Sequence, residues 1–204
     1  MRSLFVVASL FACTGAPVPQ TPIEAPPPAA APVDGGLAPL PSASLYQLEV
    51  PLLDQDGETI ALSIYRGRPT IIAMFYASCP MACPKMIAEL RGIESQLPPS
   101  ARAELRVVLV SLDPERDGPE LFREVVRAHE IDGTRWRLGR ASPHDVRTVS
   151  AALGIQFRKI EGGDLHHETI LTLVDADGVP VIRHQGLGRD PSVFRDAILR
   201  VSEQ

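Results

Sequence analysis

The stretch Thr70-Ile71-Ile72-Ala73-Met74-Phe75-Tyr76-Ala77-Ser78-Cys79-Pro80-Met81-Ala82-Cys83-Pro84 decides how this chain reads. Its first half is an apolar, β-rich run. It predicts a strand over 69–76 with both faces buried. Its second half leads into Pro84-Lys85-Met86-Ile87-Ala88-Glu89-Leu90. Apolar residues at Met86, Ile87, Leu90, Ile93 and Leu97 give the spacing of a helix from Pro84 to Leu97. Pro84 suits the first turn, where its missing N–H costs nothing. Cys79 and Cys83 are therefore expected on a loop between a buried strand and a helix start. Free N–H groups and the helix dipole favour a thiolate there. At this spacing the two sulfurs can reach one bound atom or each other. The pair reads as a soft-metal or redox dithiol. Two inert buried cysteines, or a structural disulfide, are the plainer alternative, and the strand–loop–helix setting argues against it.

Working outward, Leu45–Leu53 and Glu58–Leu62 flank Asp54-Gln55-Asp56-Gly57, a hairpin turn signal. Leu105–Leu112 is a second β-branched run. Pro119–His129 is helical, with Leu121, Phe122, Val125 and Val126 on one face. Arg135–Leu138 is a short strand. Pro143–Leu153 is a helix ended by Gly154. Gln156–Ile160 is an edge strand. Thr169–Val174 and Val179–His184 flank Asp175-Ala176-Asp177-Gly178, a second hairpin, and a helix over Asp190–Val201 closes the chain. Parallel strands with crossover helices followed by an antiparallel hairpin predict an α/β fold. With a dithiol after the first buried strand, the expectation is a thioredoxin-like mixed sheet flanked by helices, with an N-terminal β-hairpin.

The 204 residues suit one domain plus extensions, and 45% hydrophobic residues suit a globular core. The net charge of −5 and the absence of a basic run argue against nucleic acid as a partner. Three cysteines are too few for a disulfide scaffold. Arg2 and the apolar run Leu4–Ala12 read as an export signal, well short of the ~20 residues that span a bilayer. Leu10-Phe11-Ala12-Cys13 resembles a bacterial lipobox. It implies a lipoprotein-type signal peptide over 1–12 and lipidation at Cys13; an ordinary signal cut nearby is the alternative. Residues 13–43 are rich in Pro and Ala without an apolar period, an extended linker of roughly 90 Å reach. The folded domain is expected over 44–204.

The thioredoxin redox motif is normally C-x-x-C, whereas this pair is C-x-x-x-C. The extra residue leaves room for an ion between the sulfurs, and two thiolates suit Cu(I). Zinc is less apt, because structural zinc wants four ligands. A third copper ligand would be a histidine. His129 and His144 read as surface residues and His184 as structural. His166 and His167 stand before the strand Thr169–Val174. If that strand lies beside the first buried strand, its start comes near the dithiol. Met81, between the cysteines, is either a soft thioether donor or an ordinary loop methionine. Asp113-Pro114-Glu115-Arg116-Asp117 is a turn of paired charges or part of the site, on the edge of the sheet that also carries Cys79.

Taken together, these stretches resemble the Sco/SenC family, thioredoxin-like proteins that deliver copper to cytochrome c oxidase. Cys79-Pro80-Met81-Ala82-Cys83-Pro84 is similar to its C-P-x-x-C-P motif, and Ser111–Asp117 to its S-x-D-P-x-R-D segment. Trp136-Arg137-Leu138 matches a W-x-x-L region more loosely. His167, eleven residues before Gly178, falls where the family's ligand histidine lies. The resemblance covers about residues 45–201. The family usually has an acidic residue where Met81 stands, Asp where His166 stands, and Ser or Thr where Glu168 stands. The resemblance implies a metal site of Cys79, Cys83 and His167, with His166 as the alternative ligand, holding Cu(I) or Cu(II). It implies the CuA domain of cytochrome c oxidase subunit II, or another exported copper protein, as recipient. Localisation would be the periplasmic face of a bacterial cell envelope, on the membrane through the Cys13 lipid. The competing expectation is an exported thiol-disulfide oxidoreductase cycling a Cys79–Cys83 disulfide. Against it, the residues before the facing strand, His166-His167-Glu168, lack the proline that thioredoxin-type oxidoreductases carry there. A peroxiredoxin-type peroxidase is weaker still, because Ile72 and Tyr76 replace the Pro and Thr of its motif.

Overall fold

The computed structural model describes residues 38–160 and 165–203. The expected signal peptide, Cys13 and most of the expected linker lie outside them.

The centre of the fold is β3 (Thr70–Phe75), buried at all six positions. Beside it in parallel lies β4 (Arg106–Ser111), with Ile71 opposite Val107 and Phe75 opposite Ser111. Then comes β5 (Trp136–Arg140), parallel to β4. Strands with two buried faces need cover on both, which explains their near-continuous Val, Ile and Leu. On the other flank β8 (Ile170–Val174) runs antiparallel to β3, and β9 (Pro180–Gln185) antiparallel to β8. An N-terminal hairpin, β1 (Leu52–Asp54) and β2 (Thr59–Ile60), joins antiparallel to β5. The seven-stranded order is β2-β1-β5-β4-β3-β8-β9.

Among the described residues five α-helices fill the connections: α1 (Ala82–Ser95), α2 (Pro99–Glu104), α3 (Pro119–Ala128), α4 (Pro143–Leu153) and α5 (Ser192–Ser202). α3 packs over β1 and β5 and inserts Phe122 against Phe75, with ring centres 5.7 Å apart. α4 ends as expected at Gly154, whose φ of +71° is the left-handed turn that glycine supplies without strain. The mixed α/β sheet with an N-terminal hairpin is the expected architecture.

Four local features differ from the sequence reading. Residues 45–47 form a 3-10 turn rather than a strand, because the Ser44 hydroxyl accepts the Tyr46 N–H at 3.1 Å and caps it. Leu45 N–H then donates to Gly178 O at 2.9 Å, and the Tyr46 ring lies where a Cβ on Gly178 would sit, 2.5 Å away. That close approach, with φ +79°, is why the second hairpin turn needs glycine. α2 is too short to show a helical period in sequence. α1 starts at Ala82, two residues before Pro84, since any position of the first turn lacks an intrahelical N–H partner and tolerates proline. Finally, Phe157–Lys159 (β6) is not an edge of the main sheet. It pairs antiparallel with Leu165–His167 (β7) in a separate two-stranded ribbon.

Candidate metal centre

Three connections converge on one end of the sheet. β3 and β4 are parallel and in register, so the Tyr76–Met81 loop and the Leu112–Gly118 loop leave the same edge. β8 runs the other way, with Leu171 opposite Ala73, so its start lies beside the end of β3. β7 ends just before that start. The sequence expectation about that strand is met, but His166 and His167 lie on a strand of the ribbon, not on a loop.

Cys83 also sits differently from expectation: it lies inside the first turn of α1, and only Cys79 is on the loop. Both cysteines are buried free thiols. The Cys83 N–H donates to Cys79 Sγ at 3.3 Å. Burial opposes a Cys79 thiolate, but the N–H groups of Cys83 and Met81 and the side chains of Cys83 and Tyr76 outweigh it, holding this thiol below its ordinary value. Cys83 is pushed up, first by burial and then by the negative charge of Cys79 and Asp117. One sulfur is therefore poised to ionise while its neighbour keeps its proton.

His167 is half-buried and sets its ring edge-on to Tyr76, centres 6.2 Å apart. Its Nδ1 lies 3.0 Å from the Glu168 carbonyl oxygen. A carbonyl only accepts, so Nδ1 carries the proton and Nε2 holds the lone pair. Burial, with His166 beside it, lowers its basicity and favours the neutral, ligating form. His166 opposes Arg158 across the ribbon and is exposed. Of the other histidines, His144 is exposed as read, His129 is half-buried rather than on the open surface, and His184 Nε2 donates to Glu89 Oε1 at 2.9 Å in a structural contact. Among the described residues no group of three or more His, Cys, Asp and Glu side chains is assembled for a metal. The dithiol is formed, and His167 reaches Tyr76, the residue where the thiol loop begins. Two adjacent soft sulfurs suit an ion content with low coordination.

The sequence reading missed what Asp117 does. Its Oδ2 accepts the Ala77 N–H at 3.0 Å and the Ser111 hydroxyl at 2.6 Å, tying the thiol loop to the end of β4. Asp113, in turn, pairs with Arg116 and donates its N–H to Ser111 Oγ at 3.0 Å. Asp117 is 2% exposed, and burial raises its pKa despite those two donors. Two loops leaving adjacent parallel strands in register must meet, and that register is set by the sheet.

The family whose sequence model matches residues 41–201 is SCO1/SenC. A protein of Stutzerimonas stutzeri named for copper binding is 31% identical over 142 residues, 66% of this chain. The match spans 66% of that relative's own length, just under two thirds. A SCO1/SenC family lipoprotein from Bacillus anthracis superposes with a TM-score of 0.68 at 22% identity, covering 80% of this chain and 99% of its own. Arabidopsis thaliana ScoI, solved with copper bound, gives 0.64 at 20% identity, covering 76% and 96%. These two share the fold. The family match spans well over half of the sequence, and the chain therefore belongs to the SCO1/SenC family.

Proposed function

We propose that this protein is a membrane-tethered copper metallochaperone, in which Cys79, Cys83 and His167 hold one copper ion and pass it by ligand exchange to the CuA site of cytochrome c oxidase. The observation that carries the reading is the Cys83 N–H donated to the Cys79 sulfur at 3.3 Å, which sets two buried cysteines side by side, with the His167 ring against Tyr76 where their loop begins. The Stutzerimonas relative's name and the copper in the Arabidopsis protein support it. The layout follows the sequence: signal peptide 1–12, Cys13 carrying the lipid, linker to 43, and copper domain 44–204. The lipobox-like Leu10-Phe11-Ala12-Cys13 assigns the anchor to Cys13; among the described residues no helix is long and apolar enough to cross a membrane.

Titrating wild type, Cys79→Ala, Cys83→Ala and His167→Ala with each copper oxidation state tests the reading. Each cysteine variant should lose tight Cu(I) binding and the thiolate-to-Cu(II) absorption. His167→Ala should weaken Cu(II) more than Cu(I), because Cu(II) favours nitrogen more strongly. Unchanged affinity for both ions in His167→Ala, with fast thiol exchange, would remove the chaperone reading. For the anchor, a clickable fatty acid should label wild type but not Cys13→Ala.

The unequal thiols also favour a second reading, reduction of a partner's disulfide. Cys79 thiolate would attack that disulfide and expel one partner thiolate. Cys83, once deprotonated, would attack the mixed disulfide and expel the second. Two electrons then leave this pair as a Cys79–Cys83 disulfide. This chemistry needs both cysteines and tolerates His167→Ala.

A further inference from the structure

The chain has four methionines, and three lie among the described residues. Met74 and Met86 are sealed in the core at 1% exposure each, while Met81 is 67% exposed. Exposure of one apolar side chain signifies little by itself. Its place is what carries weight: Met81 stands between the two thiols, as the residue that opens α1, with φ −137° and ψ −53°. Its N–H faces the Cys79 sulfur, so its backbone lies beside the dithiol. A thioether is soft and polarizable, and three rotatable bonds let it swing.

We propose that the Met81 thioether is a third donor to Cu(I) on the solvent side of the Cys79–Cys83 pair, the ligand through which the ion enters and leaves. The proposal rests on the copper-binding reading and gives its two oxidation states different third ligands. Cu(II) takes the His167 nitrogen, which is tied to the ribbon and to Tyr76. Cu(I), the softer ion, takes the mobile sulfur. A thioether has no proton to lose, so its bond forms without the proton release a thiol requires. An incoming ligand can displace it while both thiolates stay bound.

The test uses the full chain labelled with selenomethionine and loaded anaerobically with one equivalent of Cu(I). X-ray absorption at the selenium and copper edges is read for wild type and Met81→Leu, a change of similar volume. The expected result is selenium–copper scattering in wild type that vanishes in Met81→Leu, while thiolate–copper scattering persists in both. Transfer of Cu(I) to a chromogenic chelator should change several-fold in Met81→Leu with Cu(II) affinity unaltered, the reverse of His167→Ala. Copper held by two thiolates with no selenium neighbour in wild type would overturn the Met81 assignment and leave the chaperone reading standing. Equal Cu(I) binding by a Cys79→Ser, Cys83→Ser double variant, or no stoichiometric binding by wild type, would overturn both.

Discussion

The thiol loop and the histidine ribbon reach the same edge of the sheet by different means. The thiol loop leaves β3, buried at every position, and is pinned on its far side by Asp117 through Ala77 and Ser111. Its second cysteine is built into a fourteen-residue helix. The ribbon belongs to no large sheet. Three residue pairs hold β6 to β7, and His167 bonds its own neighbour's carbonyl. One half of the site is thus held rigidly by the main sheet, and the other hangs on the small ribbon and its contact with Tyr76.

The largest effect should come from the rigid half. On the proposed function, Cys79→Ala or Cys83→Ala removes one of two thiolates, and Cu(I) titration should show tight binding lost. His167→Ala should leave measurable Cu(I) affinity; if all three fall equally, the contrast between the halves breaks.

Asp117→Ala should come next, measured by denaturant unfolding. It strands the buried Ser111 hydroxyl and the half-buried Ala77 N–H, and should cost about 2 kcal/mol. Asp117→Asn keeps an acceptor and should cost less. Burial raises the folded pKa of Asp117, so this group favours the folded state most below its unfolded pKa, near 4, and loses that advantage as pH rises through the folded value. The stability difference should therefore shift towards Asp117→Asn as the solution goes from acid to neutral. A flat difference would show that the hydrogen bonds alone set the cost.

Thiol reactivity sharpens the comparison inside the rigid half. In the reduced protein, alkylation should strike Cys79 well before Cys83, at a pH below that needed for free cysteine, because only Cys79 is lowered. Peptide mapping after a brief pulse reads the order, and equal labelling would contradict it. The smallest effect is expected on the ribbon's outer face: His166→Ala should change stability by less than about 0.5 kcal/mol, as for exposed positions without buried partners. Copper binding should be untouched; damage there instead would move the ligand assignment from His167 to His166.

Much of this was legible in the sequence because it depends on near neighbours. The apolar run at 70–75, the 3.6-residue spacing after Cys83, the Pro143 and Gly154 signals of α4 and the two Asp-Gly turns each act within a few residues, so local order alone reports them. The paired cysteines and the histidine doublet were visible for the same reason. What only the tertiary structure decided comes from contacts across many residues. Ser44 capping a turn that packs on Gly178, β6 leaving the main sheet to pair with β7, and Asp117 bonding Ala77 all join chain segments whose meeting depends on how the sheet is ordered. The unlike poise of the two thiols has the same origin. Spacing makes Cys79 and Cys83 a pair, but unequal burial and the N–H groups that one sulfur faces set which of them ionises first.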